Sequence, residues 1–140
     1  NESILISLAR AWKVKGDFSR SREILDRLET IYPGNEWGRN LLGEMAASEG
    51  EKQTAFRMFE TILDENPKFY HTYLNLARLH MESGDTVMAV RMLKDCLRIN
   101  PFYEPAYAMY GTILMQTGNK ELGEKMLNFR VDGPGKYGKN

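Results

Sequence analysis

Along the third quarter of the chain, Tyr73, Leu76, Ala77, Leu79 and His80 fall on one broad face at helical spacing. After a break at Gly84-Asp85, Ala89, Val90, Leu93, Cys96 and Leu97 form a second such face. Spacings of three and four residues belong to a helix that buries one side, and no stretch alternates as a half-buried strand would. The pattern predicts a helix, a tight turn and a second helix. It also recurs: Gly16-Asp17, Gly50-Glu51, Gly84-Asp85 and Gly118-Asn119 stand 34 residues apart each time. Pro33, Pro67 and Pro101 keep the same step, each behind an apolar-periodic segment that a helix would end just before. A glycine can take the left-handed conformation that closes a helix, and the acid or amide after it can accept from the free N–H groups that open the next. The expected organisation is all-helical, with four hairpins over units 2–35, 36–69, 70–103 and 104–132 of one domain.

Laid over one another, the units show paired small and bulky positions. Small residues recur in the first helices at Ala9, Gly43, Ala77 and Gly111, and in the second helices at Ser21, Ala55, Ala89 and Gly123. Bulky ones recur at Leu8, Leu42, Leu76 and Tyr110, and at Leu25, Phe59, Leu93 and Leu127. Small-into-large packing of two close helices follows from this arrangement. The fourth unit departs from the pattern: it lacks the closing proline, and Arg130 stands where Leu28, Ile62 and Cys96 stand in the others. Its last helix is also more polar, at Asn128 and Arg130, and "GPGKYGKN" (133–140) reads as a flexible tail.

These residues resemble the tetratricopeptide repeat, a 34-residue helix hairpin with a bulky residue, Leu-Gly or Leu-Ala, a Gly-acid turn, Ala, an aromatic or Leu, and Pro at fixed offsets. Tyr73, Leu76, Ala77, Gly84, Asp85, Ala89, Leu93 and Pro101 carry the pattern in the third unit, and Leu42, Gly43, Gly50, Ala55, Phe59 and Pro67 carry it in the second. The resemblance implies a right-handed α-solenoid of four antiparallel hairpins spanning 2–132. It also implies a concave groove lined by the second, fifth, sixth, ninth and twelfth places of each unit. Those places hold Ser3, Ile6, Ser7, Arg10 and Lys13 in the first unit, and Trp37, Asn40, Leu41, Glu44 and Ala47 in the second. In the third and fourth they hold His71, Leu74, Asn75, Arg78 and Met81, then Pro105, Ala108, Met109, Thr112 and Met115. Such a mixed stripe suits a peptide or helix with apolar anchors: Met and Trp supply adaptable or anchoring contact, and Asn and Arg can hold backbone and carboxylates. Chaperone-tail binders of this family use a carboxylate clamp. Its places are occupied here by Ile6, Arg10, Leu41, His71 and Asn75 in one register, and by Asn40, Glu44, Asn75, Pro105 and Met109 in the next. Neither set matches, so that ligand class is not expected.

Composition narrows the function further. Lys plus Arg and Asp plus Glu number 19 each, which leaves no general positive field for nucleic acid. The strongest apolar run, Ile4 to Ala9, is broken by Ser7 and falls far short of the roughly 20 residues that span a bilayer. The start on Asn1 without a signal-like segment reads as a piece of a longer chain whose cellular address is not visible, and the piece itself reads as soluble. His71 and His80 lie too far apart to share a metal, and the single Cys96 sits among apolar neighbours as an inert thiol. No HExxH, GxSxG or paired-carboxylate pattern occurs, and Lys136 among glycines lacks the rest of a phosphate loop. The expected function is therefore a non-catalytic protein-interaction scaffold with no cofactor and no metal. The alternative is self-association, or continuation of a longer solenoid, through the first-helix edge of Ile4, Leu5 and Ala11.

Overall fold

The computed structural model describes residues 1–128; Arg130 and the tail expected at 133–140 lie outside the described residues. Eight helices are present among the described residues: α1 (Glu2–Val14), α2 (Phe18–Ile31), α3 (Glu36–Ser48), α4 (Lys52–Glu65), α5 (His71–Glu82), α6 (Thr86–Ile99), α7 (Glu104–Gln116) and α8 (Lys120–Leu127). They pair as four hairpins, and the chain divides between Pro67 and Lys68 into two compact units of two hairpins each.

The turns form as the glycine spacing predicts. Gly16, Gly50, Gly84 and Gly118 have φ of 85, 83, 81 and 92°, where a side chain would strain the backbone. The next residue's N–H then reaches the carbonyl five positions back: Asp17 to Trp12 at 2.9 Å, Glu51 to Ala46 at 2.9 Å, Asp85 to His80 at 2.8 Å and Asn119 to Leu114 at 2.9 Å. This satisfies a carbonyl that the helix end would otherwise leave free. The expected side-chain caps form at Asp17, which accepts from Arg20 N–H at 3.0 Å, and at Asp85, which accepts from Met88 N–H at 3.1 Å. Glu51 and Asn119 make no such bond. Glutamate carries one methylene too many for the short reach to the first turn; for Asn119 the structure offers no such reason. At the other helix ends, Tyr32, Asn66 and Asn100 precede the three prolines and leave helical geometry, with φ of −127, −142 and −128°.

Each unit has its own core. In the first, Leu5, Ala9, Ile24, Leu25, Leu28, Leu41 and Met45 form one buried cluster. In the second, the cluster includes Ala77, Ala89, Leu93, Cys96, Leu97, Tyr107 and Ile113. Each fully buried large aliphatic side chain contributes about 1.5–3 kcal/mol. The predicted small positions are where the helices meet most closely: Ala9, Ala55, Ala77 and Ala89 are all 0% exposed, and the Ser21 hydroxyl donates to the Ala9 carbonyl across the first hairpin at 2.8 Å. A Cβ on Gly111 would lie 2.8 Å from the Gly123 carbonyl oxygen, so backbone touches backbone in the last hairpin. Two of the bulky positions depart from expectation. Leu8 is 43% and Leu127 45% exposed, although Leu127 reaches α7, where its Cγ would come within 2.8 Å of a Cβ on Gly111. Leu42 and Tyr110, the counterparts of Leu8, pack in or against the cores of their units, and Leu25 and Leu93, the counterparts of Leu127, lie within them.

Cys96 is 0% exposed, and its Sγ donates to the Tyr70 carbonyl at 3.4 Å. Burial among apolar side chains pushes its thiol up to about 12, because the thiolate would have to form away from water. Iodoacetamide at pH 8 is therefore expected to leave native protein unlabelled and to alkylate Cys96 only after denaturant unfolds it. Stoichiometric labelling of folded protein, read by mass spectrometry, would contradict this burial.

Candidate functional site

The stripe predicted from the repeat register is distributed over both units, and each half has its own internal chemistry. In the first unit, Lys13 on α1 pairs with Glu44 on α3 at 2.9 Å, and the Asn40 amide donates to the same carboxylate at 3.1 Å. One helical turn earlier, the Arg10 guanidinium lies 5.6 Å from the Trp37 ring centre, within reach of the ring's negative face. Below these, Asn35 donates to Glu2 and accepts from Gly38 N–H at 2.9 Å, which ties the start of α3 to the start of α1. The α1 and α3 faces of this half are thus joined by their own charges, leaving Arg10 exposed and Trp37 half-buried.

In the second unit, His71 at the start of α5 packs in an aromatic group. Its ring lies 4.2 Å from Tyr70 and 5.3 Å from Phe69, and 5.3 Å edge-on from Tyr103, whose hydroxyl is 3.4 Å from Nδ1. Further along α5, Arg78 donates to the Asn75 side-chain oxygen at 2.9 Å. Arg78 is exposed, and Met81 is half-buried against the core of this unit. On α7, Met109 is half-buried and Thr112 exposed, with its hydroxyl donating to Ala108 one turn back at 2.9 Å.

Several members of the stripe do not lie open as the register suggested. Leu41 and Leu74 are 1% and 8% exposed and belong to the two cores, while Asn40 and Asn75 are 4% and 6% exposed. Met115 leans toward α8, where its Cγ would come within 2.8 Å of a Cβ on Gly123. On the first-helix edge, Leu5 is core at 9% exposure, whereas Ile4 is 64% exposed and Ala11 is open. The fifth and sixth places of each unit are adjacent, about 100° apart around the helix, so they do not share one outward direction. In the second and third repeats both are nonetheless buried, Asn40 with Leu41 and Leu74 with Asn75.

Sequence reasoning missed one charged group. Arg39 on α3 pairs with Glu29 at 3.1 Å and Glu65 at 2.9 Å, bridging the ends of α2 and α4. The hydrogen bond from Arg39, reinforced by the Gly34 N–H, holds the Glu29 carboxyl below its ordinary value. The pairing joins residues 10 and 26 positions apart, so no helix-face pattern announces it. Among the described residues no group of His, Cys, Asp and Glu is placed to hold a metal ion, and no helix is long and apolar enough to cross a membrane.

Residues 70–103 match the family model of the tetratricopeptide repeat. No curated protein matches this sequence. Among solved structures, the chain is similar to MamA, with 18% identity over 94% of this chain and 77% of that one and a TM-score of 0.70. It is also similar to TTC0263, a thermophilic TPR protein of Thermus thermophilus, at 19% identity over 91% and 72% with a TM-score of 0.76. PilF of Pseudomonas aeruginosa matches at 16% identity over 94% and 62%, again with a TM-score of 0.76. At these identities the likeness is one of fold.

Proposed function

Because this chain is a tetratricopeptide-repeat protein, we propose that it is a non-catalytic scaffold. It holds a peptide or helix of another protein against the open faces of its first helices. The observation that carries this reading is the pair of half-open anchors, Trp37 beside Arg10 in the first unit and Met81 beside Arg78 in the second. An apolar surface next to an arginine suits a segment that alternates apolar side chains with carboxylates. Affinity capture with the chain as bait, followed by mass identification, supplies the partner for titration. Trp37→Ala and Met81→Ala, tested separately, are each expected to weaken it by more than about 1 kcal/mol while the helical circular-dichroism signal stays intact. Unchanged affinity in both variants would move the site elsewhere.

The same reading holds that C-terminal chaperone tails are not ligands by the carboxylate clamp. Asn75, which stands at the clamp's middle asparagine place in the second register, is buried and already accepts from Arg78. Micromolar binding of such a tail peptide, abolished by Asn75→Ala, would contradict this.

A second reading, self-association, is favoured by Ile4 and Leu8. They are 64% and 43% exposed at i and i+4 on α1, with Ala11 completing the stripe. Sedimentation over a range of concentrations tests it: a dimer dispersed by Ile4→Glu supports this reading, and a monomer throughout rejects it.

A further inference from the structure

A cavity of about 380 Å³ opens in the first unit between α2 and α4, over α3. Both outer helices pack on α3, which makes its side chains the floor. Leu25, Leu42 and Met58 give the cavity an apolar lining, of which Leu25 is 2% exposed. Its volume falls within the roughly 300–1,000 Å³ of ordinary ligand pockets, and its mix of mainly apolar walls with a few polar groups is also theirs. The rim is charged on two sides: α2 brings Asp26 and α4 brings Arg57. Arg39, also in the wall, is engaged by Glu29 and Glu65, whereas Asp26 and Arg57 have no ion-pair partner among the described residues.

The second unit indicates what such a space accepts. Its helices pack in the same order, α5 on α6, α6 on α7 and α7 on α8, and a shift of two repeats carries Arg39 and Leu42 onto Tyr107 and Tyr110. Both tyrosines are buried, at 0% and 7% exposure, in a cluster with Leu93 and Met126, the counterparts of Leu25 and Met58. Where the second unit fills the space between its helices with two phenol rings, the first has a guanidinium turned to its own ion pairs and a shorter leucine. Interiors pack to near crystalline density, so a gap left by one repeat and filled in another is a shape with a defined complement.

We propose that this cavity is a docking site for an aromatic side chain of a partner polypeptide, flanked by a base that meets Asp26 and an acid that meets Arg57. The site is separate from the first-helix stripe and does not depend on it. A single ring set in an apolar pocket and fenced by charges is the usual form of a binding anchor. The opposed rim charges fix which way round the segment lies.

Selection of displayed short random peptides on the intact chain tests the assignment, with Leu42→Tyr, which brings in the second unit's own residue, as counter-selection. Enriched peptides are expected to share a Trp, Tyr or Phe with a basic and an acidic neighbour. One of them, synthesised and labelled, should bind Leu42→Tyr about tenfold more weakly than the unaltered chain. Exchanging the rim charges, Asp26→Arg with Arg57→Glu, changes only the rim and should invert the preferred order of the flanking charges; this arm decides the matter if Leu42→Tyr loses helical signal. No enrichment, enriched peptides without an aromatic residue, or a flank preference indifferent to the exchange would overturn the proposal. Peptides lost with Trp37→Ala but kept by Leu42→Tyr would belong to the stripe and would also overturn it. So would self-association of the chain abolished by Leu42→Tyr, since the occupant would then be a second copy.

Discussion

Gly43→Ala is expected to destabilise the protein by about 2 kcal/mol, and combining it with Phe59→Leu is expected to cost less than the two single changes added together. A Cβ at Gly43 would lie 2.4 Å from Cε1 and 2.8 Å from Cζ of Phe59. That ring is 1% exposed and has no solvent to swing into, so helix α3 or the ring must shift. The clash must outweigh the roughly 0.5–1 kcal/mol that alanine gains over glycine inside a helix. Shortening Phe59 to leucine removes the colliding atoms and lets that gain appear. The third hairpin already uses this combination, with Ala77 and Leu93 at the same places, both 0% exposed. Urea unfolding of the four proteins gives the coupling directly, and it is expected to be favourable by about 1 kcal/mol. Additivity within about 0.5 kcal/mol would mean that the glycine and the ring are not partners.

This coupling is also the part of the fold most legible in the sequence. A step of 34 linking turn glycines and prolines needs only local geometry, positive φ at the glycines and non-helical backbone before each proline, and both are present. Small and bulky positions that co-occur across units encode the distance between paired helices, and Ala9, Ala55, Ala77 and Ala89 are packed to zero exposure accordingly. The candidate site was less legible. Arg10, Lys13, Trp37, Glu44, Arg78 and Met81 lie on first helices as expected, but Leu41 and Leu74 turn into the cores. Positions at the edge of a helix's buried arc are settled by small rotations of one hairpin against the next, which periodicity does not encode. The α2–α4 cavity was readable in principle. Comparing the units two repeats apart sets Arg39 and Leu42 against Tyr107 and Tyr110, a loss of ring volume visible in the letters alone. Its meaning depends on knowing that both tyrosines are buried.

The largest single loss of stability is expected from Tyr107→Ala, at roughly 3–5 kcal/mol, against about 1 kcal/mol for Tyr107→Phe. Tyr107 is 0% exposed, and its hydroxyl donates at 2.9 Å to the carbonyl of Pro101, the last of the periodic prolines. The ring fills the space between helices, and the hydroxyl ties the start of α7 back to the loop that leaves α6. Phenylalanine keeps the first contribution and loses the second, leaving one carbonyl short of a donor. Alanine loses both and opens a cavity lined by leucine and methionine. Denaturant titrations followed by far-ultraviolet circular dichroism separate the two contributions. If phenylalanine costs as much as alanine, the hydrogen bond rather than the ring supports the hairpin; if alanine costs under about 1 kcal/mol, the helices have closed over the gap. The second outcome would also bear on the first unit, because helices that close over the gap left by Tyr107 would be expected to close over the equivalent α2–α4 cavity unless something props it open. The persistence of that cavity would then rest on Arg39, stretched between Glu29 and Glu65 as a strut across the two helices.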